Sequence, residues 1–248
     1  MKDPIATITG LRKTFPGPVE AVAGIDLELA AGTVTALLGP TGCGKSTILR
    51  VLGGLDAPTD GEVRVEPGIG IGFCFQEPRL LPWRSVRRNI ALPLELDGRP
   101  AEEIRERVDR QLETVGLTDA AERLPAALSG GMKMRAAVAR TLVTDPSLLL
   151  LDEPFGALDE VTRYRLDEEL AELVRDAGPT VVLVTHSISE AVFLADEVIV
   201  LGPRPTRILE RFEIGLGHRD AALRGTGEFA RLQSRIYDVL RGGMEAVS

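Results

Sequence analysis

The sequence predicts an α/β protein built on a parallel sheet, with an antiparallel β portion near the N-terminus and a helical stretch inserted at roughly residues 78–140. The runs at residues 148–151, 181–184 and 198–201 are aliphatic without alternation, as strands covered on both faces of a parallel sheet must be. Aromatic residues make up 4% of a chain that is 44% hydrophobic, so the core has to be packed with branched aliphatic side chains. From residue 148 onward strand-like and helix-like segments alternate, the signature of βαβ units.

Taken in order, residues 5–9, 22–29 and 34–38 read as strands, punctuated by Pro16-Gly17-Pro18 and Ala31-Gly32. A glycine-rich turn then opens a helix from Lys45 to about Gly53, and strands follow at 62–65 and 69–75, split by Pro67-Gly68. The pattern becomes helical from residue 78. Within 101–115, Glu103 with Arg107 and Glu106 with Arg110 are spaced i,i+4 on a solvated face. After the strand at 148–151 come a helix at about 160–176, a strand at 180–184, a helix at 188–194 and a strand at 197–201. The tail from about residue 211 carries Gly215, Gly217, Gly225 and Gly227 before a closing helix at 228–240, and reads as an appendage.

Composition narrows the function. A net charge of −8 argues against nucleic acid as the main ligand, because affinity for a phosphate backbone needs a concentrated basic surface. The nearest basic cluster, Arg84, Arg87 and Arg88, reads as a solvated turn or a protein contact. No apolar run approaches the ~18 residues that span a bilayer, and Met1-Lys2-Asp3-Pro4 lacks a basic and an apolar leader region. The expectation is a chain that stays in the cytoplasm and reaches a membrane only through a partner. Cys43 and Cys74, the only cysteines, have neither metal-type nor CxxC spacing and read as packing residues.

Gly39-Pro40-Thr41-Gly42-Cys43-Gly44-Lys45-Ser46 fits G-x-x-x-x-G-K-[ST] between an apolar strand and a helix, the context in which such a loop binds nucleoside triphosphate. Its glycines let backbone N–H groups turn toward phosphate oxygens, and the helix N-terminus adds partial positive charge. Lys45 is suited to the β and γ phosphates and Ser46 to magnesium. The run 148–151 ends in Asp152 and Glu153, at the carboxyl end where open α/β sheets present ligands. Asp152 is suited to hold magnesium and Glu153 to polarise an attacking water. His186 follows the next strand and falls on the same edge as a donor to the γ phosphate, whereas His218 sits in the glycine-rich tail. Ser129-Gly130-Gly131 precedes a helix at 133–141 and forms a second anion site, which makes sense if two chains pair head to tail so that each closes over the other's ATP.

Together these motifs resemble the ATP-binding cassette family over residues 5–201: the phosphate loop from Gly39 to Thr47, Gln76 after the strand ending in Phe75, the signature Leu128-Ser129-Gly130-Gly131-Met132, Asp152 with Glu153, Ala157-Leu158-Asp159, and His186, all in family order. The resemblance implies a P-loop NTPase core of the RecA-like type, with the antiparallel β subdomain and the inserted helical subdomain. It also implies a nucleotide-binding domain over residues 1–210, a helical appendage over 211–248, and ATP and Mg2+ as cofactors. It casts Phe15 as the aromatic that stacks on adenine, with a strand-end core residue as the other reading. Gln76 becomes a sensor of magnesium and the membrane partner, and Asp159 a coupler of the two sites. The signature departs from the commonest pattern at Met132, where glutamine is usual, and at Met134. Gln76-Glu77-Pro78-Arg79-Leu80-Leu81-Pro82-Trp83 is similar to the nitrate, sulfonate and taurine importer branch, where this region meets the permease, so Trp83 is either an interface anchor or plain core. The implied function is an ATPase subunit on the cytoplasmic face of the inner membrane, paired with a second copy, permease subunits and, indirectly, a solute-binding protein. An exporter ATPase or a non-transport cassette is the alternative, and a plain P-loop kinase or GTPase is disfavoured by Ser129 to Gly131.

Overall fold

Alternation decides where the N-terminal strands go. In the computed structural model, which describes residues 4–17, 19–156 and 159–245, Ile25, Leu27 and Leu29 point inward from β2 (Val19–Ala30) while Asp26 and Glu28 point out. This strand pairs antiparallel with β1 (Pro4–Phe15), which also pairs antiparallel with β4 (Asp60–Val65), giving a three-stranded sheet ordered β2-β1-β4.

The second sheet has six strands in the order β5-β6-β7-β3-β8-β9, from β3 (Val34–Leu38), β5 (Ile71–Cys74), β6 (Leu148–Asp152), β7 (Thr180–Thr185), β8 (Glu197–Leu201) and β9 (Ile208–Glu213). All are parallel except β9, which runs antiparallel along β8. Every residue of β6 and β7 is buried, which accounts for their unbroken apolar runs. One face packs α1 (Lys45–Leu52) between the two sheets, through Ile48, Leu49 and Leu52 against Ile8, Leu27, Leu150 and Val182. The other face packs α5 (Glu160–Ala177), α6 (Ile188–Leu194) and α7 (Gly227–Glu245), centred on Phe193 and including Phe229 and Ile236. The C-terminal helix therefore contributes to the same core as the sheet. The strand β9 escapes pattern reading because only Phe212 of its six residues is buried.

A third cluster joins α2 (Val86–Leu96), α3 (Ala101–Thr114) and α4 (Gly130–Leu142) through Val86, Ile90, Val108, Leu112 and Ala136. The helical pattern expected from residue 78 starts only at Val86. Pro78 and Pro82 bias the residues before them away from helix, and Arg79 has φ 44°. The intervening loop is organised by Asn89, which is fully buried. Its carbonyl accepts from Leu81 N–H (2.7 Å) and its amide donates to the carbonyls of Leu81 (3.1 Å), Arg84 (2.9 Å) and Ser85 (3.0 Å). The loop so pinned leaves Trp83 on the surface, 73% exposed, which rules out the plain-core reading of that residue. The basic cluster beside it is charge-paired: Arg84 meets Glu95 at 2.5 Å, and Arg87 meets Asp109 at 2.5 Å and Glu122 at 2.9 Å. Among the described residues no helix is long and apolar enough to cross a membrane.

Asn89→Ala is expected to destabilise the protein by about 1–3 kcal/mol, because it strands buried backbone groups. Trp83 is the only tryptophan, so urea unfolding followed by its fluorescence checks both the stability and the loosened loop.

Candidate functional site

Three strands of the parallel sheet end level with one another. Leu38 pairs with Thr185, and Asp152 with Val184, so the segments that follow β3, β6 and β7 leave the sheet at one edge. These segments are the phosphate loop, Glu153 and His186.

The loop enters α1 through Gly44, whose φ of 124° is open to glycine alone, and a Cβ there would lie 2.7 Å from Thr206 Oγ1 and 2.9 Å from the Ala21 carbonyl. Lys45, 4% exposed, curls back so that Nζ donates to the carbonyls of Gly39 (2.9 Å) and Pro40 (3.0 Å). The ammonium is thus held inside the loop with its desolvation offset by hydrogen bonds, 3.7 Å from Glu153 Oε1. Ser46 Oγ donates to Asp152 Oδ1 at 2.8 Å, tying the loop to β6. Burial pushes the Asp152 carboxyl above its usual range and neighbouring Glu153 adds to the rise, against the Ser46 hydrogen bond and the Lys45 charge.

Glu153 has φ 45°, a left-handed conformation that costs a non-glycine residue roughly 1–2 kcal/mol. Its N–H still donates to the Val184 carbonyl at 2.9 Å. Around its carboxylate stand Lys45, Gln76, whose Nε2 donates to Oε2 at 3.4 Å, and His186, whose Nδ1 lies 3.0 Å from Oε2. Backbone strain combined with a convergence of charged and hydrogen-bonding groups marks a functional position.

The fold thus brings together Gly39, Pro40, Lys45, Ser46, Gln76, Asp152, Glu153 and His186, and a cleft of about 210 Å3 is lined by Thr41, Gly42, Gly44 to Thr47, Gln76 and Glu153. A larger hollow of about 340 Å3 under α5 is lined mostly by aliphatic side chains such as Leu151, Leu170 and Leu183, and lacks the convergent polar groups of the smaller cleft. Phe15 lies outside the cleft, 39% exposed, with Lys13 Nζ 5.3 Å from its ring centroid. Ser129 caps α4, accepting from Met132 N–H at 3.3 Å, with Gly130 and Gly131 in the first turn; none of the three lines the cleft. Asp159 caps α5 through Thr162 N–H at 3.0 Å, a bond that holds its carboxyl below the usual range, while Ala157 and Leu158 lie outside the described residues. Cys43 and Cys74 are buried free thiols, the second pushed up to about 12 by burial.

Two residues escaped the reading of the sequence. Thr206, fully buried, donates through Oγ1 to the Cys43 carbonyl and exchanges backbone hydrogen bonds with Ala21 and Ala23, bracing the phosphate loop from behind. Arg204, two residues earlier, lines the cleft. The only local signal was a basic residue beside Pro205 shortly after an apolar strand.

The fold and this edge define a P-loop nucleoside triphosphatase. A family model described as ABC transporter matches residues 22–156. The chain is 46% identical over 237 residues, 92% of its length and 82% of the relative's, to the aliphatic sulfonates import ATP-binding protein SsuB of Pseudomonas putida. It is also 46% identical over 210 residues to the bicarbonate transport ATP-binding protein CmpC of Synechococcus elongatus, covering 80% of this chain but 32% of that one. Among solved structures, the dimeric post-hydrolysis state of the ATP-binding cassette MJ0796 bound to ADP and Pi superposes with a TM-score of 0.76 at 31% identity, covering 86% of this chain and all of that one. The chain belongs to the ABC transporter family, as an ATP-binding subunit that hydrolyses ATP.

Thr206→Val is expected to leave the Cys43 carbonyl unpaired and to weaken ATP binding roughly five-fold, the equivalent of about 1 kcal/mol. Equilibrium titration with a fluorescent ATP analogue measures it.

Proposed function

We propose that this chain energises import of a small anion, such as a sulfonate, taurine or nitrate, by hydrolysing ATP beneath a separate permease on the cytoplasmic face of the cell membrane. The relatives' names support the direction and the solute class. The exposed Trp83 supports a protein contact on the helical side. In this reading residues 1–210 are the nucleotide-binding domain, with a helical subdomain at about 78–140, and 211–248 are a helical appendage whose α7 packs onto the core of that domain. A solute-binding protein delivers the solute to the permease.

The observation that carries the reading is the convergence of Lys45, Gln76 and His186 on the strained Glu153. Gly39 to Thr47 wrap the phosphates, and Lys45 neutralises their charge from inside the loop. Glu153 orients and polarises the attacking water, a role suited to a carboxylate held within reach of a cationic neighbour. His186 turns Nδ1 to Glu153, so donation from Nε2 to the γ phosphate requires the doubly protonated ring, in which both nitrogens are donors. The oxygen donors of Ser46 and Asp152, 2.8 Å apart, with Gln76 beside them, fit a hard divalent cation. Ser46, Asp152 and Gln76 would hold Mg2+, which would supply charge neutralisation at the phosphates. Phe15, at the end of β1, stacks on adenine. Ser129, Gly130 and Gly131 act on the ATP of a second copy: the Ser129 oxygen accepts within its own helix, and its proton remains to be donated. Asp159, at the start of α5, couples the two composite sites.

Glu153→Gln is expected to bind ATP while turnover falls about 10²–10⁴-fold, and to trap a dimer with ATP and not with ADP. Single-turnover hydrolysis and light scattering read the two effects, and a dimer equally abundant with ADP would exclude dependence on the γ phosphate.

The action in trans has its own test. A mixture of Lys45→Ala and Ser129→Arg chains is expected to regain hydrolysis that neither homodimer shows, because one composite site of the mixed dimer then holds both lesions and the other is intact. A mixture as inactive as its parents would mean that hydrolysis requires Ser129 and Lys45 on the same chain, and the trans assignment would fail.

A further inference from the structure

Behind His186 lies a second group of charges that the reaction does not touch. Glu190 of α6 is 2% exposed and Asp167 of α5 is fully buried, an arrangement carboxylates avoid unless something holds them. Glu190 accepts a hydrogen bond from the Thr185 hydroxyl, and Thr185 Oγ1 in turn accepts from Ser187 N–H at 2.9 Å. Ser187 Oγ closes the circuit by accepting from Glu190 N–H at 3.3 Å. Both chain neighbours of His186 are thus tied to Glu190, Thr185 through the buried carboxylate and Ser187 through the Glu190 backbone N–H.

The second buried carboxylate, Asp167, is held from the C-terminal side of the chain. Arg224, in the short turn Ala221–Gly225, donates to Asp167 Oδ2 at 2.6 Å and to Glu168 Oε1 at 3.4 Å. Its guanidinium lies 3.6 Å from the ring centroid of Phe193 and 4.3 Å from that of Tyr164, so aromatic faces fix its plane. Burial and mutual repulsion push Asp167 up to about 8, and burial pushes Glu190 up to about 7, opposed by Arg224 and Arg163 and, for Glu190, reinforced by Glu153. Asp167 Oδ1, Glu190 Oε1 and Arg224 Nε are buried without a hydrogen-bond partner among the described residues. An incompletely satisfied charge cluster costs stability that an apolar core of the same volume would keep. Packing alone gives no reason to retain it next to a reacting histidine.

We propose that Glu190 is a positioning residue for His186, and that Arg224, paired with Asp167 and packed on Phe193 of the same helix α6, lets the C-terminal segment 221–225 set the geometry of the loop that carries His186. The catalytic consequence rests on the reading of His186 given above. The kinetic effect then belongs to turnover: the phosphate loop is assembled on other elements, so ATP binding is spared.

The test exploits the fact that the chain has two histidines. In a His218→Gln background, His186 is the only imidazole in a two-dimensional NMR spectrum. Glu190→Ala and, separately, Arg224→Met are expected to shift or broaden its ring resonances and to lower kcat roughly ten-fold or more with KM for ATP unchanged. Glu190→Gln keeps an acceptor for Thr185 and is expected to restore most of the turnover. Variants that lower the melting temperature but leave kcat and the His186 resonances at wild-type values would overturn the proposal, and so would a Glu190→Gln as impaired as Glu190→Ala. Arg224→Met keeps the question answerable if Glu190→Ala does not fold. His186→Ala separates the two levels: a wild-type rate there defeats the catalytic reading of His186, and the resonances of the other variants then decide the positioning by themselves.

Discussion

The site depends on one constraint, the in-line parallel register of β3, β6 and β7. Because Leu38 stands beside Thr185 and Asp152 beside Val184, three segments far apart in sequence leave the sheet at one level. A one-residue slip of β6 would turn Asp152 away from Ser46 and point Leu151 into the cleft, since side chains alternate between faces. The fully buried β6 and β7 guard against that slip, because no register that exposes part of them is tolerable.

On this frame the protein accumulates local costs. Asp152 is buried enough to resist ionising, Lys45 is withdrawn from water, and Glu153 occupies a left-handed backbone conformation. Each cost has a neighbour that limits it: Ser46 for Asp152, the loop carbonyls for Lys45, and the Val184 carbonyl for the Glu153 backbone. The aliphatic core on both faces of the sheet supplies the stability from which these costs are met.

The same edge also separates the two candidate anion sites of the chain. The cleft borders the phosphate loop, Gln76 and Glu153, while Ser129 opens a different helix in the helical cluster and does not line it. A helix N-terminus with two glycines in its first turn has bare amides facing outward, a surface that suits an anion brought by another molecule. The dimeric cassette that superposes on this chain is consistent with that use.

The sequence by itself determined the central machinery. The phosphate loop, the Asp152-Glu153 pair, the capping serine Ser129 and the aliphatic strands are legible because each is contiguous, and short-range spacing places its groups. Tertiary structure decided the rest. The strand β9 has a single buried residue and becomes a strand only by pairing with β8. Thr206 reaches the back of the phosphate loop and Arg204 the cleft because β2, the phosphate loop and the β8–β9 connection pack together, Thr206 lying 163 residues from the carbonyl it binds. Whether Trp83 was core or surface turned on the four hydrogen bonds of Asn89. Asp167, Glu190 and Arg224 look like ordinary helix-surface charges in the sequence. Only the closure of α5, α6 and the C-terminal segment over one another removes them from water, because burial is a property of the assembled layers and not of any local pattern.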